Sequence, residues 1–219
     1  MFEQRQTPNM VSAGLTTLGL IYHMTVYKLR VTDRNAVAGL LMTIARSLLM
    51  VAFFFVFFYV LKVRSSPIQG NFIVYIMTGI FMFLTHNQAI RAVMAAEGAV
   101  SPLMKHTPMN TAITISASAL AVLYQQILAS MVLLIFTDKF IEPLDIDRIY
   151  PCIGMLVLAW LSGCCIGLVF RAAEPWWPRG VNMLVMVYTR LNMVSSGKMF
   201  VANTLPTAML IMFDWNPLF

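Results

Sequence analysis

Charged residues are scarce in this chain. Asp, Glu, Lys and Arg make up 11% of its 219 residues, and 59% of the residues are hydrophobic. A soluble domain carries about 25% charged residues, so this composition excludes an ordinary soluble protein and predicts an all-α integral membrane protein. The length accommodates roughly five or six spans of about 20 residues each. We therefore expect one transmembrane domain over residues 1–219, without room for a separate soluble catalytic domain.

Motifs for catalysis and nucleotide binding are also missing. Gly197-Lys198 is followed by Met199, and no glycine stands five residues before Gly197, so a phosphate-binding loop cannot form there. The sequence contains no His-Glu-x-x-His pair and no Gly-x-Ser-x-Gly turn, and no predicted span carries two carboxylates. We predict no catalytic residue and no cofactor in this chain, so any work must draw its energy from a partner or a gradient.

The cysteines and the net charge exclude further classes. Cys152, Cys164 and Cys165 lie in or beside one apolar run, which implies neither a disulfide framework nor a metal site. The last two belong to Ser162-Gly163-Cys164-Cys165, a small-residue face suited to helix packing. The charge of +6 is spread in small groups beside apolar runs, which suits anionic membrane lipids better than nucleic acid. The N-terminus has no apolar signal core, so we expect no cleaved signal peptide.

Several apolar runs have the length of membrane spans. We place the spans at residues 40–61, 70–93, 111–136, 151–170 and 180–194. Residues 10–34 mix apolar and charged side chains at helical spacing, which predicts an amphipathic helix lying in the membrane surface, or alternatively a short packing helix. Arg46 lies near the start of the first span, where a long side chain can reach the headgroups.

Two polar insertions interrupt this pattern. Residues 85–88, Thr-His-Asn-Gln, fall in the second span, where polar side chains face other helices or water. They either hydrogen-bond between helices or contact a substrate. Residues 94–110 include a short basic piece between Pro102 and Pro108. This piece is either a docking element for a cytoplasmic partner or an ordinary loop.

Residues 195–219 are apolar enough for a membrane, yet Pro206 and the Trp215-Asn216-Pro217 turn break them. Non-helical backbone at membrane depth is tolerated only where protein or a water-lined cavity satisfies its peptide groups. We therefore predict a re-entrant or interfacial hairpin that packs against other spans near an aqueous path. Such a segment is more typical of a transporter than of an anchor.

The placement of Lys and Arg predicts the topology. Basic residues precede the first span (Lys28, Arg30 and Arg34), occur in and just before residues 94–110 (Arg91 and Lys105) and bound residues 171–179 (Arg171 and Arg179), whereas the loop after the third span has two basic residues among four acidic ones. By the positive-inside rule, the N-terminus and both of these loops are cytoplasmic. Trp176 and Trp177 lie in the second of them, where tryptophans commonly anchor a protein at the membrane interface.

A set of residues in the C-terminal stretch forms a recognisable pattern. Its members are Ser196, Gly197, Phe200, Leu205, Pro206, Trp215, Asn216, Pro217 and Leu218. Together with the order of an interfacial helix, two spans, a proline-bracketed segment and three further spans, this pattern resembles the membrane subunit of type-2 ABC exporters. The nearest branch is that of the capsular polysaccharide and O-antigen exporters, and the resemblance covers nearly the whole chain.

The resemblance implies a homodimer of permease subunits, served by two copies of a separate ATPase that binds ATP and Mg²⁺. Residues 94–110 would be the coupling segment in the ATPase groove. Its expected contacts are Glu97, Met104, Lys105 and His106. The substrate would be a lipid-linked glycan that crosses the bacterial cytoplasmic membrane between the two subunits. Trp176, Trp177 and Tyr188 would stack on its sugar rings, or serve as anchors and packing residues.

Two features depart from the family, and other functions remain open. Ala45-Arg46 stands where members usually have Glu-Pro, and the chain ends at Phe219 where members continue into a sixth span. The same fold would also suit an exporter of another amphiphile or a drug. A gradient-driven channel or carrier would carry polar residues along one face of every span. A membrane enzyme using His86 as a base would need an acid or nucleophile beside it.

Overall fold

The protein is represented by a computed structural model that describes residues 10–31, 36–60, 72–98, 110–140, 149–196, 206–214, 216 and 218. Its helices are α1 (Met10–Val31), α2 (Ala36–Val60), α3 (Phe72–Met94), α4 (Thr111–Phe140), α5 (Ile149–Ala173), α6 (Pro178–Ser195) and α7 (Thr207–Phe213). Within the described ranges the chain is helical apart from short turns and contains no strand. The predicted all-α class is therefore confirmed.

Among the described helices, three are long and apolar enough to cross a membrane. The qualifying segments are Val37–Phe54 in α2, Thr111–Lys139 in α4 and Tyr150–Ala173 in α5. This finding agrees with the membrane character predicted from composition. Polar residues interrupt the other two predicted spans, since α3 contains the Thr-His-Asn-Gln run and α6 contains Arg179 and Arg190. The count of five spans stays a prediction.

Helix α3 forms the centre of the bundle. It contacts α2, α4, α5 and α6, and its most extensive contact is with α5. Ile76, Ile80, Ile90 and Val93 are all buried on it. A helix that is apolar round most of its circumference is stable when other elements surround it. Because lipid tails are as apolar as these side chains, close packing and hydrogen bonds rather than the hydrophobic effect hold such helices together.

Two glycines let α5 approach the backbone of α3. A Cβ added at Gly163 would overlap the carbonyl oxygen of His86, and one added at Gly167 would lie 3.0 Å from Val93 Cβ. Residues four apart lie on one helix face, and paired small residues at this spacing mark close helix contacts in membranes. The predicted packing face at residues 162–165 is confirmed at Gly163, and it extends to Gly167.

One end of the bundle, which we call the Glu97 end, gathers the ends of α1, α3 and α5 and the start of α4. Lys28 at the end of α1 forms an ion pair with Glu97, just after α3. Arg171 near the end of α5 donates a hydrogen bond to the carbonyl oxygen of Met94. Lys28 and Arg171, two of the basic residues that predict a cytoplasmic side, thus lie at this end.

The opposite end, which we call the Asp138 end, holds the ends of α4 and α6 and the start of α3. Thr137 Oγ1 donates to Met77 Sδ at 3.3 Å, which joins α4 to α3. Met193 near the end of α6 packs against a buried cluster that includes Ile76. Helices α3 and α4 therefore run antiparallel, whereas α3 and α5 run parallel, since Gly163 and Gly167 of α5 lie beside His86 and Val93 of α3 in the same order.

Helix α1 packs on the Glu97 end with one face only. Met24 is buried against Ile113 and Ala117 of α4. Leu15 and Leu18, which belong to the predicted apolar stripe, are 65% and 63% exposed. These exposed side chains are compatible with contact to lipid. The interfacial placement of α1 stays a prediction.

Candidate functional site

Glu97 is the one predicted ATPase contact within the described residues. Its carboxylate accepts a hydrogen bond from Lys28 Nζ at 3.0 Å, and its carbonyl oxygen accepts one from Thr114 Oγ1 at 3.1 Å. The chain is thereby held by α1 and α4 immediately before the proline-bracketed segment. The other three predicted contacts, Met104, Lys105 and His106, lie outside the described residues.

The aromatic residues predicted to meet substrate do not form one surface. Trp176 and Trp177, in the turn between α5 and α6, are 92% and 64% exposed. The Trp177 ring covers Gly180, where an added Cβ would overlap it. Tyr188 lies ten residues after Pro178, about 15 Å further along α6, and is half-buried. The tryptophans remain available for anchoring or stacking, whereas Tyr188 has a partner inside the bundle.

That partner is His86, which joins three helices. Ser162 Oγ donates to the Ala159 carbonyl at 2.9 Å, so its lone pairs accept from His86 Nδ1–H at 2.9 Å. Nε2 then accepts from the Tyr188 hydroxyl at 2.9 Å. This pattern assigns the proton to Nδ1 and satisfies both ring nitrogens. Of the two alternatives for residues 85–88, hydrogen bonding between helices is confirmed for His86.

The same geometry bears on the use of His86 as a base. The side chain is 0% exposed, and in the assigned tautomer it donates to Ser162 rather than accepting from it. The serine hydroxyl is therefore not activated in this arrangement. Among the described residues, His, Cys, Asp and Glu form no group of three that could hold a metal ion.

The C-terminal turn returns to the end of α6. Asn216 Nδ2 donates to Asn192 Oδ1 at 2.8 Å, to Ser195 Oγ at 2.8 Å and to the Ser195 carbonyl at 3.1 Å. The backbone N–H of Ser196 closes the last turn of α6 by donating to Asn192 O at 3.1 Å. The single asparagine of the predicted motif thus fastens the chain to the Asp138 end.

Other members of the motif are divided between described and undescribed parts of the chain. Pro206 stands directly before the seven-residue helix α7, with φ −58° and ψ 143°, an extended backbone that ends any preceding helix. Gly197, Phe200, Trp215 and Pro217 lie outside the described residues. A chain that leaves α6 at Ser196 and returns to it through Asn216 is compatible with the predicted hairpin, whose depth in the membrane stays a prediction.

A cavity of about 410 Å³ opens between the end of α1 and helices α2, α3 and α4. Lys28, Arg46 and Arg91 line it, and no Asp or Glu occurs among its described lining residues. Gln88 also lines it, and the buried Gln88 Nε2 has no hydrogen-bond partner. We call this cavity the basic groove. It combines three cations with an unpaired amide donor.

A second cavity, of about 420 Å³, lies between α3 and α6. Its polar lining consists of Arg91, Asn182, Thr189 and Arg190. Arg91 therefore borders both cavities, one on each side of α3. Asn182, Thr189 and Arg190 thus place part of the polar side of α6 beside this cavity.

No family model matches this chain, and no curated protein resembles it significantly. The resemblance to type-2 exporters therefore rests on the motif residues and the order of segments. It stays a prediction.

The basic groove was not identified from the sequence. Arg46 is interpreted there as a residue that reaches the headgroups, and Lys28 and Arg91 serve only to set topology. The three belong to different helices and lie up to 63 positions apart (91 − 28), so only the packing of α1, α2 and α3 brings them together. An arginine within an apolar span is itself a functional signal, and Arg46 could have been singled out on that ground.

Proposed function

We propose that this chain is the permease subunit of an ATP-driven exporter, which moves a lipid-linked polysaccharide from the cytoplasmic to the outer side of the bacterial inner membrane by alternating access. Two copies form the pathway, and a separate ATPase subunit binds ATP and Mg²⁺. In this proposal the N-terminus is cytoplasmic, α1 lies in the membrane surface, and α2 to α6 are the five spans.

The observation that carries the proposal is the bracing of residues 94–98 at the Glu97 end. Lys28 from α1 contacts the Glu97 carboxylate, Thr114 from α4 contacts its carbonyl, and Arg171 from α5 contacts the carbonyl of Met94. A segment that transmits force from a partner needs rigid attachment to several spans, since a loosely held loop would absorb the motion. These residues are the first part of the predicted coupling segment, residues 94–110.

The charges of the described helices favour an external energy source over a proton or sodium gradient. The carboxylates of Glu97, Asp138, Glu174 and Asp214 lie at or beyond helix ends, and none of them is buried. Ion-coupled carriers commonly use acidic residues at membrane depth. Within the described ranges, the spans offer no such group.

The proposal is tested by charge reversal in the coupling segment. We expect Lys105→Glu with His106→Glu to abolish the coupling of ATP hydrolysis to export and co-purification with the ATPase, because a basic contact surface becomes acidic. The amount of permease in the membrane should stay unchanged. Lys139→Glu, at the Asp138 end, is the matched control and should retain both properties.

Normal export by the Lys105/His106 variant would refute the coupling assignment. Transport at the full rate in sealed vesicles without ATP would refute the ATP-driven mechanism and favour a gradient-driven carrier. ATP-dependent transport of a drug or another amphiphile, with no transport of lipid-linked glycan, would retain the mechanism and replace the substrate.

A further inference from the structure

The basic groove contains more positive charge than the described residues around it neutralise. Lys28 pairs with Glu97 at 3.0 Å. Arg46 on α2 and Arg91 on α3 form no ion pair within the described part of the chain, and their like charges repel each other. Two guanidinium groups held beside one cavity without a counter-charge form a site prepared for an anion.

The depth of Arg46 strengthens this reading. It lies ten residues after Ala36, about 15 Å along α2, and inside the candidate span Val37–Phe54. Charged residues at membrane depth are costly, and they face a cavity, a partner charge or an ion pathway. The groove supplies the cavity, and the described protein supplies no partner charge. An anionic ligand in the groove would supply that charge.

We propose that the basic groove binds the phosphate headgroup of an anionic lipid. A guanidinium presents a planar fork of N–H donors that fits phosphate oxygens in pairs, and Arg46 and Arg91 approach the cavity from two helices. Gln88 also lines the cavity, and its Nε2 has no hydrogen-bond partner among the described residues. The volume of about 410 Å³ lies within the usual range of ligand sites.

The apolar part of the groove identifies the anion as a lipid rather than free phosphate. Leu29, Met42 and Val122 line the cavity beside the cations. Met42 is 62% exposed, so the apolar lining continues onto the outer surface of α2, where lipid chains would lie. An amphiphile covers both parts at once, with its phosphate at the arginines and its chain along Met42.

The proposed binding of a lipid headgroup does not depend on the export function. The further step, that the bound lipid is the transported cargo, rests on the proposed function. Lys28 lines the groove and also pairs with Glu97, at the base of the predicted coupling segment. A cargo phosphate in the groove would therefore lie next to the element that meets the ATPase. Such proximity would let substrate binding influence the partner contact.

The test is lipid retention by the purified full-length chain in nanodiscs of zwitterionic lipid, measured by native mass spectrometry. The probes are phosphatidylglycerol, a polyprenyl diphosphate and, in the aqueous phase, inorganic pyrophosphate. We expect Arg46→Gln with Arg91→Gln to weaken lipid retention at least about tenfold, since each arginine supplies charge-assisted hydrogen bonds. Arg179→Gln, an exposed arginine that lines neither cavity, is the matched control and should bind as the wild type does.

Folding is checked by thermal unfolding without added anionic lipid, where the double variant should be at least as stable because a repulsion is removed. If it fails to fold, Arg46→Lys, which keeps the charge without the fork, is compared with the wild type instead; its retention is expected to be lower, and wild-type retention would overturn the proposal. Wild-type retention by the double variant, or equal loss in Arg179→Gln, overturns the proposal. Pyrophosphate bound as tightly as either lipid also overturns it.

Comparing the two lipid probes distinguishes a failure of this proposal from a failure of the proposed export function. A preference for the polyprenyl diphosphate that the double variant loses supports the groove and its link to cargo. Equal retention of phosphatidylglycerol, again lost in the double variant, supports the groove as a site for bulk anionic lipid and removes the link to cargo. A groove that binds lipid in a chain that exports nothing would refute only the proposed function.

Discussion

Replacing Gly163 by alanine is expected to separate the two helices at the centre of the bundle. The added Cβ would overlap the carbonyl oxygen of His86, and it would lie 3.0 Å from Ala89 Cβ. A carbonyl in the middle of a helix cannot rotate away, since it belongs to the hydrogen-bonded backbone of α3. The helices must therefore move apart, which also lengthens the hydrogen bonds from His86 to Ser162 and Ala159.

The magnitude follows from three effects. Overpacking in a well-packed interface costs about 1–3 kcal/mol, and a weakened hydrogen bond adds about 1 kcal/mol. Alanine in place of glycine stabilises the helix itself by about 1 kcal/mol through its higher helix propensity. We expect a net loss of about 2 kcal/mol, which lowers the unfolding temperature by roughly 4–8 °C for a chain of this size.

Two glycines on the same helix serve as comparisons. Gly167→Ala should cost less, because its added Cβ would lie 3.0 Å from Val93 Cβ and 3.1 Å from Ile90 Cα and O, whereas the Cβ added at Gly163 would overlap a carbonyl oxygen. Gly154→Ala should be neutral or slightly stabilising, because nothing lies within 4 Å of its added Cβ. The expected order of destabilisation is Gly163, then Gly167, then Gly154.

The assay is thermal unfolding of the purified variants in one detergent, followed by the loss of the monodisperse peak in size-exclusion chromatography. An unchanged unfolding temperature for Gly163→Ala would refute the close α3–α5 contact. An equal loss for Gly154→Ala would show that the effect comes from the helix itself and not from packing against α3.

Other predictions address the two ends of the bundle. Asn216→Ala removes the side-chain donor that holds the C-terminal turn against α6. Amide hydrogen exchange should therefore become faster than in the wild type in residues 206–214 and stay unchanged in α1; an unchanged rate in residues 206–214, or an equal increase in α1, would contradict this. Lys28→Glu or Glu97→Lys should each weaken ATPase coupling with less than about 1 kcal/mol change in stability, as for other partly exposed pairs, and the double reversal should restore coupling; no restoration would leave the pair without a coupling role. In a background with serine at the three native cysteines, Glu174→Cys should be labelled only after permeabilisation and Lys139→Cys from outside, and the reverse pattern would invert the topology.

The outcome for residues 85–88 shows how far sequence patterns reach. A polar run in an apolar segment predicts that its side chains avoid lipid, and His86 does so by bonding to Ser162 and Tyr188. The sequence left hydrogen bonding and substrate contact open, because both partners lie more than 70 residues away along the chain. The choice depended on which helices surround α3.

For the C-terminal motif, the breaks in the helix could be predicted from the sequence, but the side-chain contacts could not. Pro206 interrupts a helix because proline lacks the amide donor. Asn216 stands before Pro217 in the sequence, and a proline disfavours the helical conformation of the residue before it. That Asn216 bonds to Asn192 and Ser195 at the end of α6 could not be read from spacing. Side-chain hydrogen bonds between distant segments depend on orientations that local sequence does not fix.

Composition and apolar run length determined by themselves that the chain is helical and suited to a membrane, because a backbone without water must satisfy its own hydrogen bonds within each segment. Local sequence also determined where helices end and which of their ends carry positive charge. The tertiary structure alone decided that α3 is central, that Gly163 meets its backbone, and that Arg46 and Arg91 share one cavity. The physical reason is that hydrogen bonds along a helix act over four residues, whereas the packing of helices depends on the shape of faces that come from distant parts of the chain.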